Sequence, residues 1–75
     1  MTGAAAGRSA LHGVVTSFDP RAGLGELRLD DGREVAFHAT QLADGSRHVD
    51  VGARVAAQVV PWHRGQMEAT AVTVL

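Results

Sequence analysis

The sequence predicts an all-β protein, a small closed barrel of five antiparallel strands, and three observations carry that reading. From Leu11 onward, short runs of β-branched and aliphatic residues alternate with polar ones. Turn-forming clusters separate these runs at short intervals, with Asp31-Gly32 the clearest hairpin signal. No segment sustains a helical repeat. A chain of 75 residues without cysteine has room for one small core and no disulfide to staple it. Packing alone must hold it, and closing a sheet on itself buries apolar side chains while leaving no free edge.

Residues 1 to 10 are small, glycine-broken and patternless, which predicts a flexible lead-in to a domain over 11–75. The first strand is Leu11 to Phe18, ended by the turn cluster Asp19-Pro20-Arg21-Ala22-Gly23. The second is Leu24 to Leu29, with Leu27 and Leu29 on one parity and Glu26 and Arg28 on the other. Past Asp31-Gly32, the third runs from Glu34 to Ala39, Val35 and Phe37 on one face and Ala36 and His38 on the opposite one. Residues 40–52 form a polar loop with Leu42 as a plug beneath it. Arg54 to Val60 is the fourth strand, with Val55, Ala57 and Val59 inward and Pro61 as its stop. Gly65 marks a turn, and Met67 to Leu75 is the fifth strand. Five short strands with a long third connection point to the OB class of barrel.

Charge and composition narrow the function. The formal charge is −1 and every basic residue except the histidines is an arginine, so there is no general cationic excess to attract nucleic acid. No apolar run is long enough to cross a membrane or act as a secretory core, and a cytoplasmic location is expected. No serine has a convincing His–acid arrangement and there is no cysteine nucleophile, so no enzyme is expected. His12, His38, His48 and His63 lack ligand spacing, so neither metal nor cofactor is expected. A lone Gly23-x-Gly25 with no following helix is no phosphate cradle; relief of strain in a coiled strand explains it better.

Several motifs, in order, resemble the bacterial cold-shock domain proteins. They are Gly13-x-Val15-x-x-Phe18-Asp19, Gly23-Leu24-Gly25-Glu26-Leu27, Val35-Ala36-Phe37-His38-Ala39, the loop Asp44-Gly45, Gly52-x-x-Val55 and the closing Val72-Thr73-Val74-Leu75. The resemblance runs from about Gly13 to the C-terminus, with an extra residue near Gln66. It implies an OB barrel that lays single-stranded DNA or RNA across strands one to three, bases stacked on exposed rings. It also implies a size exchange, Phe37 standing where a small branched residue is usual and Ala57 where Phe is frequent. Such a pair would conserve core volume.

The rings that the resemblance places on the binding face are missing. Their positions hold Ser17, Leu24, Glu26, Ala36 and Ala39, with one more near Ser46, while Thr16 and Ala22 stand where relatives often carry lysine. Stacking contributes roughly 1–3 kcal/mol per base. Losing three such contacts at the low end removes roughly 3 kcal/mol, about a hundredfold in affinity. Glu26 adds a repelling charge.

The candidate nucleic-acid-binding residues are Phe18, Arg28, His38, Trp62 and Arg64. Phe18 is either a remaining stacking ring or a ring packed on the barrel wall, and His38 either a base contact or a solvated surface side chain. Trp62, in Pro61-Trp62-His63-Arg64-Gly65, is either an exposed hairpin-tip anchor or an indole folded over the rim. Two functions follow. One is weak or retuned single-stranded DNA or RNA binding; the other is a protein partner or homodimer covering a face made apolar by Leu24, Ala36 and Ala39.

Overall fold

The computed structural model describes residues 10–61 and 65–75. It is a closed all-β barrel with spatial order β1-β2-β3-β5-β4. The strands are β1 (Leu11–Asp19), β2 (Leu24–Leu29), β3 (Glu34–His38), β4 (Arg54–Pro61) and β5 (Met67–Val74). Neighbours pair antiparallel except β3 and β5, whose closing pair, Ala36 with Glu68, is parallel. Sequence alternation locates all five strands to within a residue or two at their ends.

The differences at those ends have local causes. β3 stops at His38 because Ala39 turns inward into a short 3-10 turn, Ala39–Gln41. Its N–H donates to the Gly23 carbonyl at 2.8 Å, and its carbonyl accepts from Leu42 N–H at 3.1 Å. β4 reaches Pro61, which pairs with Met67 as the last residue of the strand, where a missing N–H matters least. The β2–β3 turn is three residues long. Gly32 N–H donates to Leu29 O, Leu29 N–H to Arg33 O, and Gly32 takes φ 94°, the left-handed residue that such a bulged hairpin needs.

Two bulges bend the sheet into its barrel. In β1, Thr16 is the extra residue between the Val15–Leu27 and Ser17–Glu26 pairs, and its hydroxyl donates to Glu26 O at 3.2 Å. In β5, Ala71 and Val72 together oppose Ala57, with Ala71 at φ 51°. Bulges raise local twist and redirect side chains, and both do so here. After Thr16, Phe18 falls on the inner side with Val15; after Ala71, Val72 does.

The inner face carries the core. Phe37, Leu27, Val15, Val55 and Val72 are its largest fully buried side chains, and Ala57 lies among them. Each contributes roughly 1.5–3 kcal/mol relative to exposure. Val59 is half-buried rather than fully inward. Leu42 and Val49 are both buried, so the long third connection is pinned at two points, and Leu42 also bridges to Val72. No helix among the described residues is long and apolar enough to cross a membrane.

Candidate nucleic-acid interface

Strand register sorts the outer face of β1, β2 and β3 into three cross-strand rows. They are Val14–Arg28–Glu34, Ser17–Glu26–Ala36 and Asp19–Leu24–His38. All but half-buried Val14 are exposed. These rows exist because β2 keeps strict alternation between its inward Gly25, Leu27 and Leu29 and its outward Leu24, Glu26 and Arg28.

The chemistry of the rows is acidic and almost ringless. In the first, Arg28 Nη2 lies 3.2 Å from Glu34 Oε2, so its charge is already engaged. In the second, Ser17 Oγ donates to Glu26 Oε1 at 3.4 Å, and the Glu26 carboxylate stands in the middle of the face. A shallow depression lies there, lined by Ser17, Leu24, Gly25, Glu26 and Ala36. In the third, Leu24 keeps 46 % of its surface exposed between Asp19 and His38. One guanidinium therefore faces three carboxylates, and the His38 imidazole is the sole ring on the rows.

The remaining sequence candidates are distributed differently. Phe18 is half-buried on the inner side of the wall, stacked on Phe37 at 6.1 Å between centroids and 10° between planes. It makes a T-shaped pair with the His48 ring, 5.8 Å between centroids and 87° between planes. Trp62 and Arg64 lie outside the described residues. Ala39, which the resemblance placed on the exposed face, is instead buried in the core, on the same parity as Val35 and Phe37. That face shrinks to Leu24 and Ala36.

Two residues that sequence reasoning left unmarked frame the His38 end. Arg21 sits in the β1–β2 turn, where its own N–H and that of Ala22 donate to Asp19 Oδ1 at 2.9 and 3.3 Å. Arg47 sits in the β3–β4 loop at φ 59°, between a Ser46 N–H bond to Asp44 Oδ1 and the buried Val49. The Asp44 carboxyl is held below its ordinary range by that Ser46 N–H. The signal for Arg47 was its place in the loop that follows His38, and for Arg21 its place in the turn just before Leu24, the cross-strand partner of His38. No three His, Asp or Glu side chains among the described residues gather as metal ligands.

No family model matches the chain, and no curated protein matches it. Among solved structures it is similar to one from Drosophila, Unr CSD456, at 25% identity and a TM-score of 0.78. The match covers 99% of this chain and 30% of that one, so this chain spans under a third of its length. The fold is a cold-shock-like OB barrel.

Proposed function

We propose that this barrel is a divergent member of the bacterial cold-shock domain family that binds single-stranded DNA or RNA weakly. The observation that carries the reading is the likeness to a cold-shock domain over 99% of the chain, with the outer rows of β1–β3 left uncovered. Barrels of this class use that face for oligonucleotides. The weakness follows from the acidic rows, whose one ring is the His38 imidazole, because both stacking and phosphate attraction are reduced there. His38 is the contact on the rows, Arg28 an ion-paired side chain that a phosphate would have to win from Glu34, and Phe18 a ring that supports the wall from inside. Trp62 and Arg64 join the proposal from the sequence alone.

A fluorescent oligo-dT and a mixed-sequence RNA, titrated at low and moderate salt, test this. Micromolar binding that weakens with salt is expected. No detectable binding at high micromolar protein in low salt rules the reading out.

A second reading, a homodimer or a protein partner on the same barrel, draws on exposed Leu24 beside Ala36. The inward turn of Ala39 removes part of that apolar face, which favours the first reading. Sedimentation separates them: a clean monomer at high concentration counts against self-association.

A further inference from the structure

Arg21 and Arg47 differ from the other described arginines. Arg28, Arg33 and Arg54 each reach a carboxylate, at 3.2, 2.7 and 2.9 Å. Among the described residues, Arg21 and Arg47 have no carboxylate within ion-pair distance. Both line one depression of about 270 Å³ at the His38 end of the barrel, together with His38, Gly23, Ala39 and Thr40. No acidic side chain lines it. Asp19, the nearest acid along the chain, uses its carboxylate on the turn amides of Arg21 and Ala22.

The arrangement is built rather than incidental. The β1–β2 turn is fixed by Asp19, whose carbonyl also accepts from Gly23 N–H at 2.8 Å. The opposite rim is fixed by Leu42 and Val49 in the core and by Ser46 Oγ donating to His48 O at 2.9 Å. Buried Ala39 has too small a side chain to fill the space between the rims. Two arginines lining one depression favour an anion between them, and planar guanidinium forks suit phosphate oxygens.

We infer that this depression is a phosphate-monoester site, which takes the terminal phosphate of a single-stranded nucleic acid between Arg21 and Arg47. The inference rests on the proposed single-strand ligand and specifies how it is held. A monoester carries roughly −1.5 to −2 charge near neutral pH and three acceptor oxygens, matching two cations and the donors of His38 and Thr40 better than a singly charged internal linkage does. The acidic rows of β1–β3 repel a strand laid along them, whereas this rim alone among the described residues offers unpaired positive charge. The strand is therefore anchored by its end.

The test is fluorescence anisotropy with short oligo-dT carrying a 5′ phosphate, a 3′ phosphate or neither, the dye on the opposite end. One phosphorylated form is expected to bind about tenfold tighter than the bare strand, as for added charge-assisted hydrogen bonds. Excess inorganic phosphate should remove that gain. In Arg21→Gln and Arg47→Gln, each checked for unchanged circular dichroism, the ratio of phosphorylated to bare affinity should fall toward one. Equal capture of all three oligonucleotides overturns the phosphate site and leaves single-strand binding standing. A gain that survives both replacements also overturns it, and capture of none overturns both readings.

Discussion

The ring of Phe37 takes the space that a side chain at Gly25 would need. The two are cross-strand partners on the inner face of β2 and β3. A Cβ built on Gly25 would press on the ring and lie 2.9 Å from the Ser17 carbonyl oxygen. Gly25→Ala is expected to cost about 1–3 kcal/mol through overpacking, read as a lowered denaturation midpoint with an unchanged slope. In a Phe37→Leu background the same change should cost less, with Ser17 O preventing full rescue. Equal costs in the two backgrounds would disprove the coupling.

Ala71 holds a left-handed conformation at φ 51° at the β5 bulge, where its backbone has two long side-chain bonds, its N–H donating to Gln41 Oε1 at 3.4 Å and its carbonyl accepting from Thr73 Oγ1 at 3.5 Å, both of which glycine would keep. The conformation costs an L-residue roughly 1–2 kcal/mol, and glycine adopts it freely at an entropic cost of roughly 0.5–1 kcal/mol. Ala71→Gly is thus expected to stabilise the barrel by up to about 1 kcal/mol. A thermal melt should shift upward by a few degrees; a downward shift contradicts the argument.

Asp30 and Arg54 join the β2–β3 turn to the start of β4 through two bonds, Nη1 to Oδ1 at 2.9 Å and Nη2 to Oδ2 at 3.2 Å. The hydrogen bond from Arg54 is the main cause holding the Asp30 carboxyl below its ordinary range. Asp31 is lowered too, first by the Arg33 N–H. A carboxyl depressed in the folded state stabilises above its unfolded pKa, and that contribution disappears as pH falls through the folded value. Wild type and Asp30→Asn should differ in Tm at neutral pH and converge in strong acid. Both groups are exposed, so added salt should shrink the difference. A difference that persists in strong acid assigns it to something other than charge.

Glu26 and its row neighbours set the affinity of the outer face. Glu26→Gln is expected to tighten oligo-dT binding about two- to fivefold at low salt and little at high salt. Leu24→Phe, Glu26→Phe and Ala36→Phe combined should tighten it at least about tenfold, since each base stacked on a ring adds roughly 1–3 kcal/mol. No gain from the triple replacement would mean that the strand does not lie on these rows.

Where period-two alternation is clean, the sequence was a sufficient guide: Leu27 and Leu29 against Glu26 and Arg28, or Val35 and Phe37 against Ala36 and His38, fall on the faces their parity requires. It failed where one extra residue changes the parity. The Thr16 bulge puts Phe18 on the inner side with Val15, whereas Ala39 keeps the parity of Val35 and Phe37 and is buried with them, and it was the resemblance, not the alternation, that placed it outside. The resemblance identified the missing rings, but nothing in the sequence could show that Arg21 and Arg47 line one depression, because they come from two loops whose approach depends on barrel closure.

β3 meets β5 through a single rung, Ala36 with Glu68, whereas the other joints are ladders of several rungs. Every outer-row residue lies on the Leu11–His38 ribbon, on one side of that clasp. When the clasp springs open, the ribbon keeps its own internal pairing, so the surface that meets the ligand outlasts the closed cylinder that carries it. Deuterium should accordingly reach the Met67–Glu68 amides well before those of Leu27 and Val35.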